Sequence, residues 1–331
     1  RHDRPERFEA MLGDDTEVGR ALARTGLRVE VLRILTGRPG GPPFAAQVLS
    51  DTVDADLLDY LRRDAYYTGL ELRYDDRVIR HFCVDKASGR MFVDCAKAGM
   101  LREDIVSELL RVLEIRYHFS ERVYYHHAKI AAGALLARMV ELALRGGALT
   151  AADLQAATDQ SLLDRLAAAR LADPEDTARL HRFADRFRRR QLLKRVLVLP
   201  AYANAAVQEE LLARFFAPGR AEERLRWEAE REAEAARVLG CDLDVVLYCP
   251  ARTMQLKEAR TLVRMPDGGD AIRPLSDFAD RVPRLRDLEA SYPRLWKAYV
   301  LTSETDLEIR RRLQELCLAA LPSQCVNVLS L

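Results

Sequence analysis

The chain reads DADLLDYLRRDAYYTG from Asp54 to Gly69, and this stretch separates its charges from its leucines at helical spacing. At 100° per residue, one side of such a helix carries Asp56, Asp59, Tyr60, Arg63 and Asp64. The other side carries Leu57, Leu58, Leu61 and Ala65. This pattern is typical of an amphipathic helix with a solvated face. A second interpretation stays open, because aspartates on one side repel each other and favour a cation, an arginine or a bound ligand nearby.

The composition indicates a globular protein with a large buried core. Of 331 residues, 49% are hydrophobic and 31% are charged, which is enough for two domains. The 52 basic and 51 acidic residues leave a net charge of +1. This balance gives no overall field that would attract nucleic acid or an acidic membrane surface, so any binding of phosphate must be local.

Cysteines and apolar runs narrow the setting in which the protein works. The six cysteines show no CxxC spacing, which argues against zinc ribbons and redox motifs and favours the reduced thiols of the cytoplasm. No apolar run approaches the length of a membrane span, and the first residues do not resemble a signal peptide. The sequence therefore predicts a cytoplasmic protein without a membrane partner.

The first part of the chain is predicted to be mainly helical. Helical periodicity runs from Pro5 to Leu35, with a break expected at Arg20–Thr25. A loop rich in glycine and proline follows over Thr36–Pro43. Two alternating segments, Val78–Val84 and Arg90–Cys95, predict a hairpin.

Further helices are predicted after the hairpin. Apolar residues recur every three or four positions over Leu101–Arg145, which indicates one long helix or two, ended by the glycine pair that starts at Gly146. Thr150 and Asp173 are suited to cap the beginnings of two more helices.

The second part of the chain alternates strands with helices. The predicted strands are Leu193–Leu199, Asp244–Cys249, Arg260–Met265 and Lys297–Thr302. The predicted helices are Val207–Phe216, Arg220–Leu239 and Glu304–Leu321. The expected fold class is mainly α: a helical core with a short hairpin, followed by an α+β C-terminal lobe.

Two charged runs have simple explanations. Arg220–Arg237 places opposite charges three and four residues apart, as expected of an exposed helix that pairs its own charges. Arg186–Arg195 is less balanced, and it suits either a solvated helix end or a local site for a phosphorylated effector.

The segment Arg116–His127 combines basic and aromatic residues. A continued helix would place Arg116, Ser120, Tyr124 and His127 along one side, so that an arginine and an aromatic ring face one cavity. In the alternative, the tyrosines pack with their hydroxyl groups at the surface.

The Asp54–Gly69 stretch resembles the closing motif of the HD-superfamily phosphohydrolases, in the branch that hydrolyses deoxynucleoside triphosphates. Its polar residues and its terminal glycine share the spacing of that motif. The resemblance implies that Asp56 is the final ligand of a divalent metal, with Mn, Fe, Mg, Co and Zn not distinguished. It also implies that Tyr60 and Asp64 face the sugar of the bound nucleotide.

The Arg116–His127 segment resembles a second helix of this family. An arginine eight residues before a tyrosine is found there, with a histidine shortly after. The resemblance implies that Arg116 meets the triphosphate and that Tyr124 lies against the sugar and base. A planar guanidinium suits terminal phosphate oxygens. His126 matches a histidine near the family's effector surface.

The chain begins with His2 and Asp3, but the histidine run that follows the metal-binding His-Asp pair of the family does not follow them. His2 instead resembles a later histidine that donates a proton near the scissile phosphate. By this resemblance the sequence begins inside the HD domain and lacks the first metal ligands. Residues 1–148 are then expected to be the C-terminal part of that domain, residues 149–200 a helical extension and residues 201–331 the α+β lobe.

The resemblance implies hydrolysis of a deoxynucleoside triphosphate to deoxynucleoside and triphosphate. A metal would lower the pKa of the attacking water, and His2 would protonate the leaving 5′ oxygen. Leu57 stands where the family's effector-regulated animal members have a lysine that touches phosphate, which favours another phosphate ester as an alternative. The family commonly forms symmetric oligomers that bind effector nucleotides.

Three functions therefore remain open. The first is a nucleotide phosphohydrolase, expected to form a homo-oligomer and to bind a nucleotide substrate and a nucleotide effector. The second is a nucleotide-sensing regulator that keeps the pocket without the metal. The third is a structural or interaction subunit whose charged helix is only solvated.

Overall fold

The structure is a computed structural model that describes residues 5–250 and 259–331. The described residues form fourteen α-helices, nine short strands and several 3₁₀ turns, which confirms the mainly α fold class. They group into two compact units. The first holds the residues up to 119 together with 259–290, and the second holds 120–250 and 291–331. The three domain ranges expected from the sequence stay a prediction.

Five helices of the first unit precede the hairpin, and a sixth follows the short ribbon after it. They are α1 (Pro5–Met11), α2 (Glu17–Thr25), α3 (Arg28–Thr36), α4 (Pro43–Leu49), α5 (Ala55–Thr68) and α6 (Glu103–Phe119). The break expected at Arg20–Thr25 is wrong, because α2 runs through it. Thr16 caps α2 by accepting a hydrogen bond from the Gly19 amide at 2.9 Å, and Gly26 ends it with a left-handed φ of 70°. The helix α4 was not predicted.

The predicted hairpin is present in the first unit. The strands β1 (Phe82–Val84) and β2 (Met91–Asp94) pair antiparallel, with Cys83 opposite Phe92. A 3₁₀ turn over Asp76–His81 takes the place of the first half of the longer strand that was predicted. A two-stranded ribbon of β3 (Ala96–Lys97) and β4 (Met100–Leu101) follows.

A late segment of the chain completes this sheet. The predicted strand near residue 262 exists as β7 (Leu262–Arg264), and it pairs parallel with β2, far away in sequence. The strand β8 (Ile272–Pro274) pairs antiparallel with β7, which gives the order β1-β2-β7-β8. The helix α13 (Pro283–Ser291) follows β8.

The chain does not continue as an α-helix from Arg116 to His127. The helix α6 ends at Phe119, and Ser120–Tyr124 forms a π-helical turn in which the Tyr125 amide donates to the Ser120 carbonyl at 2.9 Å. His126 is extended, at φ −62° and ψ 136°, and the helix α7 starts after it. The predicted alignment of four residues on one helical side is therefore wrong, because it assumed an unbroken 3.6-residue period.

The helices of the second unit begin largely where the sequence predicted. They are α7 (His127–Arg145), α8 (Ala151–Ala156), α9 (Asp159–Ala168), α10 (Pro174–Arg188), α11 (Gln208–Phe215), α12 (Ala221–Leu239) and α14 (Leu307–Ala319). Thr150 and Asp153 form a capping box at the start of α8, and Asp173 caps α10 before its first-turn proline. No helix of the described residues is long and apolar enough to cross a membrane.

A three-stranded antiparallel sheet forms the centre of the second unit. Its strands are β5 (Lys194–Pro200), β6 (Val245–Tyr248) and β9 (Lys297–Thr302), in the order β5-β9-β6. The helices α11, α12 and α14 contribute to one core with the sheet, in which Phe215, Trp227 and Trp296 are buried. The strand β6 lies at one edge of the sheet.

The charges of α12 differ from the sequence expectation. Arg231 does pair with Glu234 on the same helix, at 3.1 Å. Glu228, however, is buried, and it pairs with Arg138 of α7 at 2.5 Å. Glu232 pairs with Arg179 of α10. The expectation of an exposed helix that pairs only its own charges is therefore wrong at two glutamates.

Candidate functional site

The helix α5 forms where the sequence predicted it. Its cap residue Asp54 accepts a hydrogen bond from the Leu57 amide at 2.8 Å, and Gly69 ends the helix with a left-handed φ of 69°. Leu57, Leu61 and Ala65 are buried along one side. These side chains fix the helix to the first unit and leave the opposite side to the polar residues.

The polar side of α5 is accessible along its whole length. Asp56 and Asp59 are exposed, and Tyr60 and Asp64 are half-buried. Asp56 forms no ion pair with any of the described residues. It lies in the first turn, where a carboxylate interacts favourably with the helix dipole. The predicted metal and sugar residues therefore share one accessible helix face.

Arg63 supplies the positive charge on this face. Its Nη2 lies 3.0 Å from Asp59 Oδ2, and its Nη1 lies 3.0 Å from Asp64 Oδ1. The hydrogen bond to Asp59 and the charge of that carboxylate raise the pKa of the Arg63 guanidinium. Two of the three aspartates are thus compensated by an arginine of the same helix, and Asp56 remains available to another cation.

Of the several ligands that the predicted metal site requires, only Asp56 is identified among the described residues. Within 5–250 and 259–331, no group of three or more His, Cys, Asp or Glu side chains is arranged to hold a metal ion. A transition metal needs several N or O ligands, so Asp56 alone does not make a site. His2, the predicted proton donor, lies outside the described residues.

Arg116 lies in the last turn of α6 and is half-buried. The helix α6 buries an apolar face of Ile105, Leu109, Leu113 and neighbouring residues, and it packs against α5. This packing places the predicted phosphate residue and the predicted sugar residues on adjoining helices of one unit.

Tyr124 closes the π-helical turn and is half-buried. Its neighbour Tyr125 is buried, which raises the pKa of that phenol to about 12. The Lys297 ammonium lies 5.7 Å from the centre of the Tyr125 ring. Tyr124 belongs to the second unit and Arg116 to the first, so a joint role of the two stays a prediction.

A cavity beside α5 was not indicated by the sequence. It measures about 950 Å³, and its lining includes Arg62, Tyr66, Arg73, Tyr74 and Arg111. The Arg62 guanidinium lies 4.2 Å from the centre of the Tyr74 ring. Arg62 and Tyr66 are one turn apart on α5, on a different side from the predicted site. The spacing of four residues between Arg62 and Tyr66 was the sequence signal for this cavity. The predicted site lay only on the side of α5 that carries the aspartates.

The comparisons with known proteins place the chain in a family. The family described as "HD associated region" matches residues 100–316, which is more than half of the chain. The chain therefore belongs to this HD associated region family, in agreement with the predicted resemblance to HD proteins. The match includes α6 with Arg116, and it begins after α5.

A solved structure supports the fold. The crystal structure of a phosphohydrolase from Bacteroides thetaiotaomicron VPI-5482 superposes with a TM-score of 0.51 at 16% sequence identity. The similarity covers 92% of this chain and 74% of that one. At this identity the likeness concerns the fold alone. No match was found among curated proteins.

Proposed function

We propose that this chain is part of a metal-dependent phosphohydrolase of the HD type, and that its substrate is a deoxynucleoside triphosphate. The products are a deoxynucleoside and triphosphate. The observation that carries this proposal is that the motif residues Asp56, Tyr60 and Asp64 lie on one accessible side of a single helix, α5. Membership of the HD associated region family supports it.

The energetics of α5 favour a ligand-binding role for its polar side. Leu57, Leu61 and Ala65 already hold the helix by burial. Exposed ion pairs such as Asp59 with Arg63 contribute little to folding. The three aspartates of this side therefore add little to stability, and we assign them the binding of a cation and a polar ligand.

The proposal gives each predicted residue a role. Tyr60 and Asp64 bind the 3′ hydroxyl of the sugar, and a sugar without this group cannot form these hydrogen bonds. Arg116 neutralises phosphate charge with its planar fork of donors. Tyr124 lies against the sugar and base, and His2 protonates the leaving 5′ oxygen.

The metal is part of the proposal, and the described residues do not complete its site. Asp56 offers one carboxylate, and one carboxylate does not choose among Mn, Fe, Mg, Co and Zn. The remaining ligands must come from residues outside the described ones. Assembly into a homo-oligomer, binding of an effector nucleotide and a cytoplasmic location belong to the same proposal.

Product analysis tests the reaction. The full-length protein is incubated with each of the four deoxynucleoside triphosphates and Mn²⁺, and the products are separated by ion-exchange chromatography. Deoxynucleoside and inorganic triphosphate in equal amounts are expected. Release of a deoxynucleoside monophosphate, or no turnover with any of the four, would contradict the proposal. Adding EDTA serves as the control for the metal.

A second candidate is hydrolysis of another phosphate ester. Leu57 follows Asp56 directly, and it is buried at 3% exposure. Leu57 therefore cannot contact phosphate as the lysine does that the effector-regulated animal members of the resembled family have at this position. A panel of phosphate monoesters and diesters in the same assay separates this candidate from the first. A nucleotide-sensing regulator would instead show thermal stabilisation by deoxynucleotides without any product.

A further inference from the structure

Arg63 holds two carboxylates of α5 with a single guanidinium. Its Nε and Nη2 donate to Asp59 Oδ2 at 3.1 and 3.0 Å. Its Nη1 donates to Asp64 Oδ1 at 3.0 Å. Asp64 Oδ2 accepts no hydrogen bond from any of the described residues. One oxygen of Asp64 is therefore held, and the other is left to a ligand.

The contact between Arg63 and Asp64 is not expected from helix geometry. Side chains four residues apart, such as Asp59 and Arg63, lie next to each other on a helix surface. Neighbours in sequence point about 100° apart and do not face each other. The Arg63 guanidinium reaches both Asp59 and Asp64 because its N–H donors point in different directions within one rigid plane. A lysine ammonium cannot reproduce this geometry.

The stability of the helix does not explain this arrangement. The side chains of Asp59, Arg63 and Asp64 are 67%, 52% and 36% exposed. Ion pairs at such exposure contribute little to folding because water and salt screen them. A contact that adds little to stability but fixes a predicted ligand-binding carboxylate points to a role at the site.

We propose that Arg63 is a positioning residue, which orients the Asp64 carboxylate so that Oδ2 faces the 3′ hydroxyl of the bound sugar. The inference rests on the proposed function, because it takes the role of Asp64 from there. Arg63 itself touches no substrate. Its removal should leave phosphate binding intact and weaken only the discrimination that Asp64 provides.

Binding of nucleotides with and without the 3′ hydroxyl tests the inference. The probes are the four deoxynucleoside triphosphates and their 2′,3′-dideoxy counterparts, measured by isothermal titration calorimetry on the full-length protein in EDTA so that no hydrolysis occurs. The measured quantity is the ratio of the two dissociation constants. Wild type is expected to prefer the 3′ hydroxyl, and Arg63→Met is expected to reduce this preference at least fivefold.

A neighbouring arginine provides the matched control. Arg62 is 44% exposed on the same helix, and it pairs with Asp76 and stacks on Tyr74 instead of binding Asp59 or Asp64. Arg62→Met removes the same length of side chain and the same charge, and it should leave the ratio unchanged. Arg63→Lys should recover part of the ratio, because an ammonium can approach one carboxylate but cannot bridge two.

The outcomes separate the two proposals. A normal ratio in Arg63→Met together with a lost ratio in Asp64→Ala would overturn the role of Arg63 and leave the proposed function standing. No preference for the 3′ hydroxyl in wild type would overturn both. An equal loss in Arg62→Met and Arg63→Met would also overturn the positioning role, because it would show a general effect of charge.

Discussion

The helices α5 and α12 both carry carboxylates paired with arginines, but only α12 buries one of them, Glu228. Glu228 of α12 is 1% exposed, whereas Asp59 of α5 is 67% exposed. The same side-chain chemistry is therefore found in two different environments. Buried pairs are costly to break, and exposed pairs contribute little, so burial distinguishes a structural network from a candidate binding surface.

The glutamates of α12 cover the edge of a sheet. Glu228 Oε1 accepts from the Leu247 amide at 2.7 Å, and Glu232 Oε1 accepts from the Val245 amide at 2.8 Å. One helical turn rises about 6 Å over four residues, close to the span of two residues in a strand. Two glutamates one turn apart thus match alternate amides of β6, whose outer edge would otherwise be unpaired.

Arginines from two other helices complete this network. Glu228 is paired with Arg138 of α7, and Glu232 with Arg179 of α10. Burial raises the pKa of both glutamates, and the neighbouring arginines oppose that shift. Among the described residues, no comparable set of backbone amides donates hydrogen bonds to the carboxylates on the exposed face of α5. Arg63 pairs with Asp59 and Asp64 of that face, and Asp56 forms no ion pair within the part of the chain that the structure describes.

Replacing Glu228 should have the largest effect on stability. Glu228→Ala leaves the Leu247 amide without its acceptor and leaves the buried Arg138 guanidinium only its longer contact with Glu141, at 3.4 Å, so a loss of about 3–5 kcal/mol in the free energy of unfolding is expected. Urea unfolding monitored by circular dichroism measures it. Glu230→Ala, two residues away on the exposed side, is the matched control and should change stability by about 0.5 kcal/mol or less.

Replacing Glu232 should have a smaller effect of the same kind. Glu232→Ala leaves the Val245 amide and one side of Arg179 unpaired, but Arg179 keeps Asp244, 3.4 Å from its Nε. A loss of about 1–3 kcal/mol is therefore expected. The same urea titration measures it. A loss as large as that of Glu228→Ala would show that both glutamates depend on each other, and a double variant would then be less than additive.

The raised pKa of Glu232 predicts a dependence of stability on pH. Burial is the main cause, and the charge of Asp244 adds to it. A folded state that binds the proton more tightly than the unfolded state gains stability below the ordinary pKa of 4.5, and loses it as pH rises through the higher folded-state value.

The comparison of wild type with Glu232→Gln isolates this dependence. The free energy of unfolding of wild type, relative to Glu232→Gln, should decrease as pH is raised from about 4.5. Urea midpoints at a series of pH values give the difference directly. A difference that increases with pH would mean that Arg179 outweighs burial and holds the pKa below its ordinary value.

Local signals in the sequence predicted the helix that carries the candidate site. Asp54 and Gly69 mark its ends, and the spacing of its leucines marks its buried side, because capping and amphipathic period depend only on nearby residues. The same holds for the helix starts at Thr150 and Asp173. The π-helical turn before α7 has no such local signal.

Contacts between distant residues could not be predicted in this way. Glu228 meets Arg138, 90 residues earlier, so the spacing of charges along α12 gave no sign that this glutamate is buried. The parallel pairing of β7 with β2 likewise joins Val263 to Val93. One sequence carries no direct record of such pairings, because many strands of similar composition satisfy the same local pattern.

Replacing Asp56 should have the smallest effect on stability and a complete effect on activity. Its carboxylate interacts with the dipole of α5 by about 0.3–1 kcal/mol, and alanine offsets part of that through its higher helix propensity. The free energy of unfolding of Asp56→Ala should therefore lie within about 0.5 kcal/mol of wild type. If Asp56 is a metal ligand as proposed, the full-length variant should lose bound metal and phosphohydrolase activity.

Metal content by mass spectrometry and product release measure the two losses independently of folding. Glu71→Ala, an exposed acidic residue just after α5, is the control and should keep both metal and activity. Wild-type metal content in Asp56→Ala would remove α5 from the metal site. A large loss of stability would place Asp56 with the glutamates of α12, as a structural carboxylate, and the distinction by burial would fail at the residue for which it matters most.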